Sequence, residues 1–312
     1  MSARVFIDGE AGTTGLSIYE RLERRGDLEL LRIDPERRKD PSERKRLLNL
    51  ADVAILCLPD EAAQEAVSWV ERPGVKILDA STAHRTAPGW TYGLPELKAE
   101  QRQRIQRSTR VANPGCYPTG AIALLRPLID AGALSAAAPL SVHAVSGYSG
   151  GGRKLIERFQ SANAPKYGAY GFGLTHKHLP EMQRYARLES TPLFSPAVGN
   201  FECGMLVFVP LGPSERGAAT GADLQRLLSA RYAAEPFISV RPLNDESALD
   251  AGYLDPEALN GTNRMQLFVY SNEQSRQTLL VARLDNLGKG AAGAALQNLN
   301  LMLGIEETRG LS

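Results

Sequence analysis

The first fifteen residues place the strongest constraint on the fold. Residues 5–8 form a short β-rich run, glycines follow at positions 9, 12 and 15, and apolar residues then recur at helical spacing. Glycines permit a tight turn and a close approach of the backbone to a pyrophosphate group, which would rest on the N-terminus of the helix. Strand, glycine turn and helix in this order predict a dinucleotide-binding domain, although G-x-x-G-x-x-G is not the commonest spacing. The cofactor-binding residues predicted here are Gly9, Gly12, Thr13, Thr14 and Gly15.

The end of the second predicted strand bears on which dinucleotide binds. Residues 28–33 are strand-like and are followed by Asp34 and then by Arg37, Arg38 and Lys39. An acidic residue here often contacts the ribose 2′-hydroxyl of NAD, whereas cations suit the 2′-phosphate of NADP. We therefore expect NADP(H), with Arg37 and Arg38 at the phosphate. A solvated run of charges near a turn is the alternative interpretation.

Further apolar runs fit a parallel sheet. Residues 52–59 form a continuous apolar run of strand length, as is typical of a strand buried on both faces, and residues 75–79 predict a further strand. Ligands of open α/β sheets bind beyond the carboxyl ends of the strands, so we expect Leu58 and Pro59 to line the cofactor cleft. Arg85 lies just beyond the second run, and its planar guanidinium suits a phosphate or carboxylate of the substrate.

A cysteine follows a turn that no regular element can include. Pro114 and Gly115 force the backbone to turn sharply before Cys116, and the apolar run after it predicts a helix that begins near Pro118. Cys116 would then lie at a helix N-terminus, where the amides and the helix dipole favour a thiolate. We expect Cys116 to be a nucleophile; a small buried residue in a turn is the alternative.

The pattern changes after about residue 118. The later strand-like runs indicate a mostly antiparallel sheet, and they are 140–145, 204–209, 265–270 and 277–283. Residues 224–232 predict a helix between them, and the alanine-rich residues 291–303 predict a C-terminal helix. Cys57 and Cys203 each belong to a strand-like run and are expected in the core.

Two of the four histidines, His176 and His178, are separated by one residue. Thioester chemistry needs a proton donor that titrates near neutral pH, and histidine is the natural candidate. Pro180 suits the first turn of a helix, which would let the Glu181 carboxylate orient His178. We prefer His178 as the acid–base and His176 for substrate contact, although the sequence leaves that order open. No third ligand with suitable spacing occurs nearby, so no metal site is predicted.

Several segments resemble one enzyme family. Asn-Pro-Gly-Cys-Tyr-Pro-Thr at 113–119 resembles the active-site signature of N-acetyl-γ-glutamyl-phosphate reductases, which are related to aspartate-semialdehyde dehydrogenases. Tyr-Gly-Leu-Pro-Glu-Leu at 92–97 and the histidine segment at 176–181 are similar to the same family. The resemblances extend from near Val5 to near Leu303, and the length is similar to that of the shorter of the family's two forms.

The resemblance implies roles for residues outside these segments. The glycine-rich residues 146–154 are similar to the family's substrate-binding loop, and residues 285–290 to a segment near the nicotinamide. With the candidates above, the expected substrate-binding residues are Asn113, Arg85, Ser146, Gly147, Arg153 and His176. The further cofactor-binding residues that the resemblance implies are Asn286, Gly288 and Lys289.

Bulk properties argue against several classes of protein. A net charge of +1 gives no indication of a nucleic-acid partner, and no apolar run approaches the ~20 residues that span a membrane. Three scattered cysteines are too few for a disulfide framework or a zinc cluster. The first strand-like run leaves no room for a signal peptide, so a cytoplasmic location is expected.

A length of 312 residues suggests two domains. The expected fold is α/β plus α+β: a Rossmann-like NADP-binding domain of residues 1–116 and 286–312, with an inserted mixed-sheet catalytic and dimerisation domain of residues 117–285. The resemblance implies NADPH-dependent reduction of the acyl phosphate N-acetyl-L-glutamyl 5-phosphate through a Cys116 thioester, in a homodimer or homotetramer. The alternatives are the same chemistry on aspartyl or aminoadipyl phosphate, and a non-catalytic NADP-binding redox sensor.

Overall fold

A computed structural model of the chain describes residues 2–312. The chain divides into unit 1, which comprises Met1–Gly115 and Ala291–Ser312, and unit 2, which comprises Cys116–Gly290. The first domain boundary is expected after residue 116 and lies after Gly115. The second is expected after residue 285 and lies after Gly290. Cys116 belongs to unit 2 because it begins a helix there, and residues 286–290 belong to it because Asn286 bonds the backbone of Gly204.

Unit 1 contains, within residues 2–312, a six-stranded sheet in which every pair of neighbours is parallel. Its strands are β1 Ala3–Asp8, β2 Leu28–Leu31, β3 Val53–Leu56, β4 Lys76–Asp79, β5 Thr91–Tyr92 and β6 Arg110–Ala112. Its helices are α1 Thr13–Glu23, α2 Pro41–Leu50, α3 Asp60–Ser68, α4 Gln101–Arg107 and the C-terminal helix Gly293–Leu303, with a 3₁₀ turn at Pro95–Leu97. The strand order β2-β1-β3-β4-β6-β5 reverses direction between β1 and β3, where doubly wound sheets bind dinucleotides.

Successive side chains along the strands of unit 1 point to opposite faces of the sheet, so each face has its own hydrophobic core. Val5 and Ile7 of β1 face one side, where they pack with apolar residues of α1, α4 and the C-terminal helix. Phe6 faces the other side and packs with residues of α2 and α3. Helices therefore cover both faces of the sheet, which confirms the predicted Rossmann-like arrangement.

Unit 2 contains a seven-stranded mixed sheet in the order β11-β12-β13-β10-β7-β9-β8, and the structure describes all of its residues. The strands are β7 Ser141–Gly147, β8 Tyr167–Ala169, β9 Leu193–Gly199, β10 Met205–Leu211, β11 Ile238–Val240, β12 Met265–Asn272 and β13 Gln277–Leu284. The helices are α5 Cys116–Asp130, α6 Arg153–Phe159, α7 Leu179–Ala186, α8 Pro213–Arg216 and α9 Gly221–Tyr232. Short 3₁₀ turns occupy Tyr148–Gly151 and Glu246–Ala248, and a π-helical turn occupies Gly288–Ala292 at the chain's second crossing. The neighbours are antiparallel except for β7–β9 and β11–β12, which confirms the prediction of a mostly antiparallel sheet.

Helix α5 lies against the centre of this sheet. Gly120 allows the close approach, since a Cβ there would lie 3.0 Å from a methyl group of Val207 and 3.2 Å from Ala282. The opposite face buries Leu206, Phe268 and Val281. Packing of α5 against the sheet therefore fixes the position of this helix, which begins at Cys116.

Candidate functional site

The glycine turn after β1 has little space for side chains. Gly9 has φ +91°, and a Cβ at this position would collide with the carbonyl oxygen of Cys57. A Cβ at Gly15 would collide with the carbonyl oxygen of Gly9. Leu58, in the turn after β3, also lies next to Gly9. The N-terminus of α1 thus opens beyond the ends of β1 and β3, as a pyrophosphate site in a doubly wound sheet requires.

The basic run after β2 is partly engaged by acidic residues. Arg37 pairs with Asp40 at 2.8 Å and with Glu43 at 3.3 Å, whereas Arg38 is exposed. Sequence reasoning missed Arg44, which lies on α2 and pairs with the buried Asp8 at 2.9 Å. Burial raises the pKa of Asp8, and the hydrogen bond from Arg44 opposes that shift. The ion pair connects the end of β1 to α2.

Cys116 is the first residue of α5 and is half-buried. The prediction that this helix begins near Pro118 is wrong by two residues, because proline fits anywhere in a first turn whose N–H groups have no intrahelical partner. The chain returns beside the cysteine, since a Cβ at Gly290 would lie 2.8 Å from the Cys116 Cβ. The thiol therefore lies at a helix N-terminus, as expected.

The turn before the cysteine is held within unit 1. The buried Arg85 donates from Nε to the Asn113 carbonyl at 3.0 Å and from Nη2 to the Ala80 carbonyl at 3.2 Å. The Asn113 amide donates to the Ala291 carbonyl at 3.0 Å and accepts from Asn298 at 3.1 Å. Both side chains thus fix the backbone next to the site, and their assignment to substrate stays a prediction.

Tyr117 joins α5 to the sheet of unit 2, and sequence reasoning assigned it no role. Its hydroxyl lies 2.9 Å from Ser146 Oγ and donates to the Ala197 carbonyl at 3.3 Å. The Tyr170 hydroxyl donates to it at 3.2 Å. Only its place between Cys116 and Pro118 in the signature could have indicated this residue.

The histidine pair adjoins this tyrosine. His178 is buried at the N-terminal end of α7, and its backbone N–H donates to His176 Nδ1 at 3.1 Å. The two imidazole centroids are 4.7 Å apart, and that of His178 is 5.8 Å from the Tyr117 ring. Burial lowers the pKa of His176, and the charge of Lys177 lowers it further. Glu181 is buried in the first turn of α7, and its proposed partnership with His178 stays a prediction.

The glycine-rich residues 146–154 form regular structure rather than a flexible loop. Ser146 and Gly147 end β7, a 3₁₀ turn follows, and Arg153 is the exposed first residue of α6. A Cβ at Gly147 would collide with the Glu202 carbonyl, so the close approach of that backbone requires glycine. The structure brings Ser146 to Tyr117, next to the cysteine.

The cofactor residues expected near the C-terminal helix have contacts inside unit 2. Asn286 accepts from the Gly204 backbone at 2.8 Å and donates to Ser149 Oγ at 2.9 Å. Gly288 lies so close to the Thr262 carbonyl that a Cβ would collide with it. Lys289 is fully buried with its Nζ 5.7 Å from the centroid of Phe237. These contacts favour a structural role, and binding of the cofactor stays a prediction.

The other two cysteines differ from Cys116 in their surroundings. Cys57 packs against the core of unit 1, as predicted, and burial raises its pKa to about 12. Cys203 is half-buried, with its thiol 3.4 Å from Ser149 Oγ, and β10 begins two residues later at Met205. The prediction of a core strand position for Cys203 is therefore wrong, because the chain is still turning there.

Membrane-spanning helices and metal-ligand clusters are both absent from the described residues. Between residues 2 and 312, no helix is both long enough and apolar enough to cross a membrane. Over the same stretch, no three histidine, cysteine, aspartate or glutamate side chains are grouped so that they could hold a metal ion.

Two protein-family models match the chain. Residues 4–105 match the model described as "Semialdehyde dehydrogenase, NAD binding domain". Residues 116–286 match the model described as "Semialdehyde dehydrogenase, dimerisation domain". The second match begins at Cys116, the residue at which unit 2 begins.

Curated relatives match over nearly the full length. The chain is 52% identical over 318 residues to N-acetyl-gamma-glutamyl-phosphate reductase 2 of Nostoc sp., with 99% of each chain covered. It is 52% identical over 310 residues to the protein of that name from Pseudomonas putida, with 98% of each covered. Both units therefore lie within each of these matches.

Solved structures share the fold at low sequence identity. Aspartate semialdehyde dehydrogenase II from Vibrio cholerae matches with a TM-score of 0.71 and 17% identity, covering 97% of this chain and 99% of that one. Aspartate semialdehyde dehydrogenase with NADP from Candida albicans matches with a TM-score of 0.64 and 13% identity, covering 97% and 99%. These likenesses establish the architecture alone.

Proposed function

We propose that this chain, which belongs to the N-acetyl-gamma-glutamyl-phosphate reductases of the semialdehyde dehydrogenase family, reduces N-acetyl-L-glutamyl 5-phosphate with NADPH in arginine biosynthesis. The products are N-acetyl-L-glutamate 5-semialdehyde and phosphate. The observation that carries the proposal is the position of Cys116 at the N-terminus of α5, with His176 and His178 grouped around the adjacent Tyr117. That grouping supports the proposal, because it brings a candidate nucleophile and a candidate acid–base together in unit 2.

The covalent half of the reaction follows from this geometry. The Cys116 thiolate, stabilised by the N-terminal amides of α5, attacks the acyl carbon of the substrate and forms a C–S bond. The C–O bond to phosphate breaks, phosphate leaves with its electron pair, and a thioester remains. The backbone amide of Cys116 and the side chain of Asn113 are our candidates for holding the oxyanion.

The glycine turn after β1 is the proposed cofactor site in unit 1. Gly9 and Gly15 allow the close packing of the turn, so that the pyrophosphate can rest on the α1 amides, beside Leu58. When bound, NADPH supplies the hydride that takes the thioester to the aldehyde level. His178 gives a proton to the substrate oxygen and takes it back when the C–S bond breaks and Cys116 is released as thiolate.

His176 takes the other role in this proposal. Its Nδ1 accepts the His178 backbone N–H, so the proton of the neutral ring is on Nε2. Because burial lowers the pKa of His176, the ring stays neutral near pH 7 and can donate a hydrogen bond to substrate. This supports His178 as the titrating acid–base, the order that the sequence had left open.

The choice of substrate is tested by running the reaction backwards. Purified enzyme is supplied with phosphate, NADP⁺ and either N-acetylglutamate, aspartate or aminoadipate semialdehyde. We expect kcat/KM for the acetylglutamyl aldehyde to exceed that for the other two by at least about 100-fold, since a site that hydrogen-bonds the acetamido group is left with unsatisfied groups by analogues that lack it. A preference for aspartate semialdehyde would contradict the substrate assignment but not the chemistry.

The preference for NADPH is tested at the basic run. Replacing Arg37 and Arg38 together by alanine should weaken NADPH binding by about 10- to 100-fold and leave NADH binding nearly unchanged, because only NADPH carries the 2′-phosphate. Cofactor fluorescence titration measures both affinities. Arg46→Ala is the matched control, because Arg46 is an exposed cation on α2 that pairs with Glu43 at 2.7 Å. An equal loss for both cofactors would show that the run is only a solvated face.

We further propose a cytoplasmic homodimer or homotetramer that takes a small acyl phosphate and no nucleic acid. The description of the family model that covers residues 116–286 supports association through unit 2. The sheet face opposite α5 supports it as well, since Val145, Phe208, Tyr270 and Leu279 are only half-buried there. Light scattering on purified protein distinguishes monomer, dimer and tetramer.

A further inference from the structure

We propose that Tyr170 is a positioning residue for this reaction: its hydroxyl fixes Tyr117, the neighbour of Cys116, and its ring encloses His176. The inference rests on the proposed reductase function and adds a residue that lies outside every motif of the sequence. Tyr170 follows the edge strand β8 and therefore reaches the site from a separate part of unit 2.

The first observation is a group of hydrogen-bond contacts around the Tyr117 hydroxyl. The Tyr170 hydroxyl donates to the Tyr117 oxygen at 3.2 Å, and the Tyr117 hydroxyl lies 2.9 Å from Ser146 Oγ. Ser146 Oγ in turn donates to the Gly147 carbonyl at 3.2 Å. The contacts with Tyr170 and Ser146 hold the Tyr117 hydroxyl from two sides. Since Tyr117 is the second residue of α5 and Cys116 the first, a fixed Tyr117 ring restrains the turn that presents the thiol.

The second observation is the aromatic enclosure of His176. Its ring centroid lies 5.0 Å from that of Phe194, 5.8 Å from that of Tyr170 and 6.2 Å from that of Tyr117. Tyr170 is 37% exposed and forms the outer wall of this enclosure, whereas Tyr117 and Phe194 are buried. His176 is half-buried, so loss of the Tyr170 ring would expose it further to water.

The ionisable groups around His176 agree with this role. They are Lys177 and His178 on its own segment, Tyr117 on α5 and Tyr170 after β8. Burial, with a smaller contribution from the Cys116 charge, raises the pKa of Tyr170 to about 12, and the hydrogen bond with Tyr117 opposes that shift. The pKa of Tyr117 is also raised, chiefly by burial. Both hydroxyls therefore keep their protons near pH 7 and remain donors, and Cys116 is near enough to influence each of them.

Two substitutions separate the hydroxyl from the ring. Tyr170→Phe keeps the wall and removes the hydrogen bond, and we expect kcat to fall about tenfold, the scale of one lost hydrogen bond, with KM values changed less than about twofold. Tyr170→Leu removes both, so it should also move the pKa of His176 upward, toward its ordinary value, in an NMR titration of the four histidines. Tyr167→Phe, at a 63% exposed position of β8, is the matched control and should be unchanged.

A double-mutant cycle tests whether Tyr170 acts through Tyr117. If it does, adding Tyr170→Phe to Tyr117→Phe should lower kcat no further than Tyr117→Phe alone. A further tenfold fall in kcat in the double variant would contradict the proposal that Tyr170 acts through Tyr117. Thermal unfolding of each variant shows whether any loss reflects the fraction of folded protein, and a kcat loss fully explained in that way would also overturn it.

Two readouts need no substrate, so the inference can fail independently of the proposed function. Alkylation of Cys116 by iodoacetamide, located by mass spectrometry, should be slower in Tyr170→Phe than in Tyr167→Phe. If the wild-type enzyme converts none of the three aldehydes, the proposed function fails, while slower alkylation and the shifted His176 titration still support the positioning role. Identical alkylation, titration and turnover in the Tyr170 variants and the Tyr167 control would refute it.

Discussion

Replacing Cys116 by serine is expected to lower kcat by at least about 10³-fold and to leave NADPH affinity unchanged. The reason is that a serine hydroxyl at the N-terminus of α5 stays protonated near pH 7, so no anion is available to attack the acyl carbon. Losses of this order or greater follow when a covalent nucleophile is removed. Steady-state turnover and a cofactor titration on the same preparation separate chemistry from binding.

The chain offers two matched controls for this substitution. Cys203→Ser changes another half-buried thiol and should leave kcat near the wild-type value. Cys57→Ser places a hydroxyl against the core of unit 1 and should cost about 1–3 kcal/mol of the free energy of unfolding without stopping turnover. Retention of more than about a tenth of the wild-type rate in Cys116→Ser would contradict the nucleophile assignment. An unreactive Cys116 thiol in the wild type would instead favour a non-catalytic NADP-binding protein.

Replacing His178 by asparagine should lower kcat by about 10²- to 10⁴-fold, the usual contribution of a positioned acid–base. His176→Asn should act mainly on KM, because His176 is held neutral by burial and by the His178 N–H at its Nδ1. A pH–rate profile distinguishes the two, since only loss of the titrating group removes one of its limbs. Glu181→Gln should reduce kcat less than His178→Asn, because it changes only how the imidazole is oriented.

His143→Asn is the control for the histidine variants. His143 is exposed on β7, and its loss should leave both kcat and KM unchanged. A larger fall in kcat for His176→Asn than for His178→Asn would reverse the two assignments. It would also leave Glu181 without the partner proposed for it.

Short-range features explain what could be predicted from the sequence. The turn of Gly9, Gly12 and Gly15 lies between a strand and a helix that each span few residues, and at Gly15 the steric need for glycine is local, because a Cβ there would collide with the Gly9 carbonyl. The Cys116 turn is equally local, because Pro114 and Gly115 exclude a regular element in any context. Even so, the sequence predicts the start of α5 two residues too late, since the proline rule describes a preference for the first turn rather than for one position.

Only the tertiary structure shows the partners of the buried polar side chains. Arg85 suits an oxyanion when considered alone, yet its guanidinium donates to two main-chain carbonyls, one of them 28 positions away. Nothing in the charged sequence of α2 distinguishes Arg44 from its neighbours, yet Arg44 pairs with Asp8 at 2.9 Å. Such partners depend on which faces of distant elements meet, and no local pattern contains that information.

The sequence by itself determined the class of fold and predicted the cysteine and the histidine pair as site residues, because chain-local sterics and chemistry indicate each of them. The tertiary structure decided what surrounds them. Ser146, Tyr170 and Ala197 are 29, 53 and 80 positions from Tyr117, and they reach its hydroxyl only because β7, β9 and β8 are neighbours in one sheet. Strand order and register set those distances, and a hydrogen bond forms only when they agree to within a few tenths of an ångström.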